Sequence, residues 1–518
     1  MVYAKQNEAF IKNKNQFFTQ LRVHHNPDMS TNLAETDKLV GTADYRFLLQ
    51  NQLSLETEFT QMFAVLKKQK EQNNEAFWLY CYYSASLLEA FYKAYSQDAK
   101  EQHYQDLKQQ IKQRLLQVKQ KNAAEERFID SLQNSFLNSF RNLTKIPFHL
   151  SVLRDYVAYT NLCRLYWVFS RLTISNGLLL AKALEFIDKI DAVLGTHTDV
   201  DKIISVFQAP NGVLNYFSVG LFLARFIIDA GLLIRHTFFP TAAEKASQAT
   251  AFERFKYELY KRHCNFANDL VWATVNFLTN FNQLTNIPGP IAGAITAVFL
   301  GFDVSMMLYK LHLARQEYLV KKAQYLQEIK HYTHAKGLSA EERSQHLAML
   351  HQQLSELEIN WQTKEATFYF AAAAAALLML GFSAALIFSP PGIILASFFV
   401  CHLGIAMYFS TGAYGKYTEK SLYLRQAELN NDDLVVARKE FELARNDFIF
   451  SMVKNTTLPL VLITTFAICW PAAVALTAVY LGYELYHAFD QHEGTKNAKQ
   501  LALTTEVDDV ANCGMACG

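Results

Sequence analysis

Apolar residues are concentrated in the C-terminal half of the chain. Positions 366–415 contain no Asp, Glu, Lys or Arg, and the sequence Ser389-Pro390-Pro391-Gly392 divides them into two apolar runs. A helix over 366–388 is about 34 Å long at about 1.5 Å per residue, which crosses a hydrocarbon core of about 30 Å. The pattern therefore predicts a transmembrane hairpin with spans at 366–388 and 392–411.

Two more apolar runs predict spans on either side of this hairpin. The run 287–309 begins with Ile287-Pro288-Gly289-Pro290, and its small residues suit close helix contact. The run 457–483 contains Pro459 and Pro471, and we interpret it as one kinked span because proline is tolerated in membrane helices and usually bends them.

A fifth run, 213–239, has Arg225 and Asp229 in its middle. Residues four apart share a helix face and can pair. One interpretation is an intramembrane ion pair that marks a transport pathway, because charges at mid-depth are costly and usually functional. The other, which we favour, is a helix packed on protein or lying partly in the interface.

Helical hairpins are predicted between the spans. In 310–365, Ser339 and Glu342 have the spacing of a capping box, and apolar residues alternate at intervals of three and four as in a coiled-coil seam: Leu347, Leu350, Leu354, Leu357 and Trp361. The shorter hairpin 416–454 has a similar seam at Leu434, Ala437, Phe441, Ala444 and Phe448.

The N-terminal half has the pattern of amphipathic helices. Residues Leu48, Leu55, Phe59, Met62 and Leu66 share one face, and the aromatic block 77–83 is more typical of a bundle core than of an interfacial belt. Further on, Arg154, Arg164 and Arg171 lie among aromatic residues. This segment is either an amphipathic helix on an anionic membrane or a core helix with a solvated rim.

The predicted fold class is all-α: a polytopic helical membrane protein with antiparallel coiled-coil hairpins between spans and an N-terminal helical bundle. The predicted domains are a soluble helical domain, membrane-proximal amphipathic helices, a membrane domain and an acidic tail, at 1–145, 146–285, 286–490 and 491–518.

The charged residues predict an orientation in the membrane, but the chain has no strong overall electrostatic field. The chain has 49 basic and 48 acidic residues, so nucleic acid is not an expected partner. Lys and Arg are frequent in both hairpins and scarce in the tail, which places the hairpins on the cytoplasmic side. The seven cysteines are scattered, which argues against a disulfide framework, and no secretory signal peptide is expected.

No cofactor fingerprint or catalytic constellation is found, and none is expected. His197, Asp199 and Asp201 form the tightest polar cluster and are weak metal-ligand candidates, because mixed coordination needs further ligands. The favoured interpretation is that Gly195 ends one helix and Thr198 or Asp199 caps the next. Near the C-terminus, Cys513 and Cys517 are candidates for acylation or a disulfide.

Several stretches resemble uncharacterised multi-span proteins of intracellular bacteria of the Legionella and Coxiella kind. They are LYWVFSRL at 165–172, GTHTDVDKII at 195–204, FERFKYELYKRHCNFANDLVW at 252–272 and PGPIAGAIT at 288–296. Some such proteins are type IV secretion substrates, and the acidic stretch 506–509 is similar to many of their signals. The resemblance implies no site residue.

Three function hypotheses follow. The leading one is a multi-pass membrane anchor or scaffold that presents helical bundles and hairpins to proteins or membranes, either in the bacterial inner membrane or as a secreted effector in a host membrane. Its partners would be the bilayer, other proteins and a second copy of the chain. The second is a transporter or channel that uses Arg225, Asp229 and Asp303. A membrane-embedded enzyme using His197, Asp199 or Asp201 is third.

Overall fold

The computed structural model describes residues 2–24, 26–68, 74–94, 98–116, 150–195, 197–208, 211–241, 244–245, 249–335, 338–430 and 434–468. Within these ranges the chain is helical and has no strand, which confirms the all-α prediction. The helices are α1 (Val2–His24), α2 (Met29–Gly41), α3 (Tyr45–Lys68), α4 (Glu75–Ala94), α5 (Asp98–Leu115), α6 (Leu150–Ala183), α7 (Phe186–Leu194), α8 (Val200–Gln208), α9 (Asn211–Phe238), α10 (Ala251–Asn280), α11 (Asn282–Thr285), α12 (Gly289–His334), α13 (Ala340–Ile387), α14 (Pro391–Asn430) and α15 (Leu434–Ile468).

The chain forms two compact units. Unit 1 comprises Met1–Arg154, Ile228–His263 and His312–Trp361. Unit 2 comprises Asp155–Ile227, Cys264–Leu311 and Gln362–Gly518.

Unit 1 has an aromatic core centred on α4. Every residue of the block 77–83 is buried, which confirms that this block belongs to a bundle core. The predicted apolar face of α3 is buried as well, with Leu66 fully covered. Aromatic side chains supply much of this core because each buries a large area, and Phe17 stacks on Tyr83 with ring centroids 4.8 Å apart.

The first hairpin has the helices and the capping box that the sequence predicts. Ser339 N donates to Glu342 Oε2 at 2.8 Å, and Glu342 N donates to Ser339 Oγ at 3.1 Å. Two backbone N–H groups at the start of α13 that have no acceptor within the helix are therefore hydrogen-bonded. Leu350 and Leu357 are buried against Tyr325 and other aromatic residues of α12. The predicted seam is therefore a contact between α12 and α13.

In the part of the chain that the structure describes, four helices are long and apolar enough to cross a membrane: Val213–Phe238, Pro290–His334, Ala340–Ile387 and Pro391–Asn430. They contain the predicted spans 287–309, 366–388 and 392–411 almost completely, and they add 213–239, which the sequence left open. Of the predicted span 457–483, the part up to Ile468 is helical and includes Pro459. Its remainder lies outside the described residues.

Small residues bring α13 and α14 close together in unit 2. A Cβ atom on Gly404 would lie 2.8 Å from the carbonyl oxygen of Ala374, and one on Gly381 would lie 2.7 Å from that of Ser397. Neither position has room for a side chain. Helix association in lipid depends on such close packing, because the hydrophobic effect does not favour contact between helices that lipid already surrounds.

The second hairpin, formed by α14 and α15, also packs through its predicted seam. Phe441 and Phe448 of α15 contact Tyr417 of α14, with ring centroids 5.6 and 5.7 Å apart. Lys420 and Glu440 form an ion pair at 2.7 Å across the hairpin. Leu434, the first residue of the predicted seam, is 44% exposed and does not join this contact.

Candidate functional site

The charges predicted for a transport pathway have partners on α10. In unit 2, Arg225 Nη2 lies 3.1 Å from Asp269 Oδ1. In unit 1, Asp229 Oδ1 lies 2.7 Å from Arg262 Nη1, and Arg262 also contacts Glu258 at 3.0 Å. From the sequence we considered a pair between Arg225 and Asp229 themselves. In the structure, each of the two side chains contacts an oppositely charged residue of α10.

Burial makes these contacts structurally important. The side chains of Asp229 and Asp269 are fully covered, and that of Arg262 is only 9% exposed. A buried pair gains little over apolar packing, but removing one partner leaves an uncompensated charge and costs about 3–5 kcal/mol. These charges therefore hold α9 against α10.

Asp303, the third pathway candidate, also has a local contact. Trp272 Nε1 donates a hydrogen bond to Asp303 Oδ1 at 2.7 Å. Trp272 lies on α10 and Asp303 on α12, so the bond links two helices of unit 2 at the end of an apolar stretch.

A polar cluster in unit 2 surrounds Pro459, which lies inside α15. Proline has no N–H, so the carbonyl of Asn455, four residues earlier, cannot receive its helical hydrogen bond. The hydroxyl of Tyr166 donates to this carbonyl. His402 Nε2 donates to the next carbonyl, that of Thr456, at 2.7 Å. Side chains of α6 and α14 thus satisfy the backbone at the proline.

The same cluster continues through hydroxyl and amide groups. Ser170 Oγ lies 3.0 Å from His402 Nδ1 and also donates to the carbonyl of Tyr166 at 2.7 Å. Asn455 Nδ2 donates to Ser410 Oγ at 3.0 Å. Because Thr456 O can only accept, His402 carries a proton on Nε2.

The sequence analysis missed His402 because it counted only Asp, Glu, Lys and Arg in the apolar window. Pro459 was the available signal: a proline within a span implies an unbonded carbonyl that some neighbouring side chain must reach. A lone histidine in the facing span was a natural donor.

The weak metal candidates lie in the turn between α7 and α8. Asp199 Oδ1 accepts from Lys202 N at 3.0 Å and caps α8, while Asp201 pairs with Lys182 at 2.6 Å. Gly195 has φ of 64° and ends α7, as predicted. His197 is exposed, and no group of three or more metal-ligating side chains comes together among the described residues.

Two basic residues of α6, Arg164 and Arg171, have hydrogen-bond partners within unit 2. Arg171 is 8% exposed and its Nη1 donates to the carbonyl of Phe207 at 3.4 Å. Arg164 Nε donates to Asn161 Oδ1 at 3.2 Å, and nothing is described of the Arg154 side chain. These contacts favour the core-helix interpretation over a basic helix on an anionic surface.

A buried charge network in unit 1 was not predicted. Lys14 Nζ of α1 lies 2.6 Å from Glu58 Oε1 of α3 and 2.7 Å from Glu328 Oε2 of α12. Lys321 Nζ of α12 lies 2.7 Å from Glu58 Oε2. All four side chains are at most 5% exposed. Two ammonium groups and two carboxylates cancel in net charge.

Amide side chains extend this network. Gln324 Nε2 donates to Glu328 Oε1 at 2.8 Å, and Gln353 Nε2 of α13 donates to Glu58 Oε1 at 3.0 Å. Glu58 therefore contacts α1 and both helices of the first hairpin. The network joins that hairpin to the N-terminal helices within one unit.

The electrostatics of the network favour the charged forms of Glu58 and Lys14. Burial raises the pKa of Glu58, but Lys14 and Lys321 more than offset it and lower this pKa from 4.5 to about 2. Burial lowers the pKa of Lys14, yet Glu328 and Glu58 hold it above its ordinary value. For Lys321, burial prevails over the carboxylates and its pKa is lowered.

Comparison with known proteins adds no relative: no family model, no curated protein and no solved structure matches this chain. The modification candidates Cys513 and Cys517 lie outside the described residues.

Proposed function

We propose that this protein is a multi-pass membrane anchor that carries a rigid helical scaffold for protein partners. The observation that carries the proposal is the network around Glu58. It packs the hairpin between two candidate spans onto the N-terminal helices through buried ion pairs of 2.6–2.7 Å. A water-exposed unit fixed in this way holds its surface in one shape, as a scaffold requires.

The contacts of the intramembrane charges favour a scaffold over a transporter. A transport pathway needs charges that meet the solute or ion during the cycle. Arg225, Asp229 and Asp303 instead contact Asp269, Arg262 and Trp272 at 2.7–3.1 Å.

Charge also supports an orientation. We place both hairpins on the cytoplasmic side, because short loops rich in Lys and Arg are retained there. The membrane is the inner membrane of a bacterium or, for a secreted protein, a host membrane. Immunolocalisation in the source cell and in an infected host cell separates the two.

Sidedness is tested with single cysteines at Pro240, Gly337, Pro390, Asn431 and Gln500 in the membrane-inserted full chain, labelled with an impermeant maleimide. We expect labelling at Gly337 and Asn431 from one side and at Pro390 from the other. Labelling of Gly337 and Pro390 from the same side contradicts the predicted hairpin topology.

The scaffold role is tested by photocrosslinking from His351, which is exposed on the first hairpin. We expect a specific crosslinked partner that Glu58→Gln loses, because the hairpin no longer holds its shape. The control Glu358→Gln removes an ion pair that is 38–40% exposed on the same hairpin and should keep the crosslink.

A transport activity that depends on the buried charges would contradict the scaffold proposal. The protein is reconstituted in liposomes, and proton, potassium and small-solute fluxes are compared with those of protein-free vesicles. A flux that Arg225→Ala or Asp229→Ala abolishes, while the crosslink pattern stays unchanged, would refute the scaffold proposal in favour of a transporter.

A further inference from the structure

Helix α7 presents an apolar face that no part of the described chain covers. Phe186, Ile190, Val193 and Leu194 are 53, 56, 84 and 66% exposed. At 100° per residue these positions fall within one arc of the helix, and Asp188 lies on the opposite side. Burying this face requires an apolar environment outside the described residues.

Local contacts fix the other side of α7. Glu185 adopts a left-handed φ of 57°, so the chain changes direction between α6 and α7. Asp191, 9% exposed, accepts hydrogen bonds from Thr198 N at 2.6 Å and Thr198 Oγ1 at 2.7 Å. Asp191 therefore ties α7 to the turn that leads into α8, and the residues of its apolar face remain exposed.

The position of α7 in the chain indicates what covers this face. Helix α8 ends at Gln208, and the candidate span Val213–Phe238 begins a few residues later. At the start of that span Tyr216 is 70% and Phe217 48% exposed. Aromatic side chains are enriched where a span enters the headgroup region. In the sequence, the exposed apolar face of α7 is therefore followed closely by exposed aromatic residues at the start of a candidate span of the same unit.

We propose that α7 is an interfacial helix whose Phe186–Leu194 face lies in the boundary between lipid headgroups and acyl chains. The inference rests on the proposed membrane residence and adds a second mode of attachment to it, since the helix lies along the surface while α9 crosses. Interfacial helices of this kind bind through their buried apolar area and, where they are basic, through anionic lipids.

The net charge around α7 indicates which property of the lipid surface the helix binds. Residues 182–208 contain five acidic and three basic residues. A net negative segment gains nothing from anionic headgroups, so the attachment depends on apolar area and not on lipid charge.

The test uses spin labels on single cysteines at each position of 186–194 in the full chain, reconstituted in phosphatidylcholine nanodiscs. The native cysteines other than the buried Cys81 and Cys401 are replaced by serine. We expect oxygen, which concentrates in lipid, to be more accessible than a water-soluble nickel chelate at Phe186, Ile190 and Val193. The reverse is expected at Asp188.

The matched control is Leu429→Cys, an apolar residue that is 77% exposed near the end of α14 in the second hairpin. We expect it to be accessible to the nickel chelate. Adding phosphatidylglycerol should leave the accessibilities along α7 unchanged, and a chelate-to-oxygen ratio that falls with anionic lipid would overturn the role given to apolar area.

Two other outcomes overturn the proposal. Chelate access at all nine positions means that α7 is solvated, and low access to both reagents means that protein, including a second copy, covers the face. Alkaline extraction of the same samples separates this failure from failure of the anchor: a retained protein with solvated α7 refutes only the interfacial helix, whereas a released protein refutes the anchor.

Discussion

Replacing Glu58 by glutamine tests the buried network at its centre. The substitution keeps the shape of the side chain and removes its charge. Lys14 and Lys321, which Glu58 contacts at 2.6 and 2.7 Å, are then left with Glu328 as the remaining carboxylate of the network. We expect unit 1 to lose a large part of its stability.

The stability that Glu58→Gln should lose can be worked out in two ways. Lowering the pKa of Glu58 from 4.5 to about 2 corresponds to about 3 kcal/mol at about 1.4 kcal/mol per unit of pKa. Breaking a buried ion pair by removing one partner costs about 3–5 kcal/mol. A cooperative unit of this size shifts its Tm by about 2–4 °C per kcal/mol, so the expected loss is about 6–20 °C.

The assay is thermal unfolding of the full chain in detergent, with hydrogen exchange of peptides from α1, α3 and the first hairpin to locate the change. Glu358→Gln is the control, because Lys322 and Glu358 pair at 3.1 Å on the same hairpin but are 38 and 40% exposed. An exposed pair contributes about 0–1 kcal/mol. If both variants unfold alike, or if exchange in α1 and α3 is unchanged, the reasoning about the network is wrong.

Three further predictions concern pH, packing and the proline cluster. The folded-state pKa of Glu58 is depressed, so its contribution is fully present above pH 4.5 and is lost as pH falls toward about 2, and wild type and Glu58→Gln should converge in Tm across that window. Gly404→Ala places a Cβ 2.8 Å from a backbone oxygen and should destabilise the α13–α14 hairpin in detergent by about 1–3 kcal/mol. The control Gly412→Ala lies on the same helix, where a Cβ has open space, and should leave the stability unchanged. Equal Tm values for the two variants would contradict the close packing at Gly404. Tyr166→Phe leaves the carbonyl of Asn455, which faces Pro459, without its donor and should lower the free energy of unfolding by about 1–3 kcal/mol. The loss should be smaller in a Pro459→Ala background, because residue 459 then supplies the N–H of the helix. A double-mutant cycle that shows no coupling between the two positions would refute this role of Tyr166.

The sequence predicted those features that depend on one helix face or one short segment. The hairpin at Pro390 and Pro391 follows from fifty positions without a formal charge, because such a window has few folded environments other than lipid or a deep core. The capping box of Ser339 and Glu342 is likewise local, and both of its hydrogen bonds are present.

The missed features depend on contacts between distant segments. Leu350 marked the seam of α13, but no local pattern indicates that Gln353, three residues later, reaches Glu58, almost three hundred residues earlier. Nothing in the local pattern distinguishes Lys321, which is 5% exposed, from its neighbour Lys322, which is 38% exposed. For the same reason the sequence considered Arg225 and Asp229 as partners and could not foresee Asp269 and Arg262 on α10.

The contacts within unit 1 also bear on whether this protein works by changing shape. A conformational switch needs two arrangements that differ by only a few kcal/mol, so that a ligand can shift their populations. Separating Lys14 from Glu58 and Glu328, or Asp229 from Arg262, leaves buried charges uncompensated at about 3–5 kcal/mol for each broken pair. A second arrangement of these helices therefore requires a new set of partners for the same charges. Unit 1 is thus suited to hold a fixed surface.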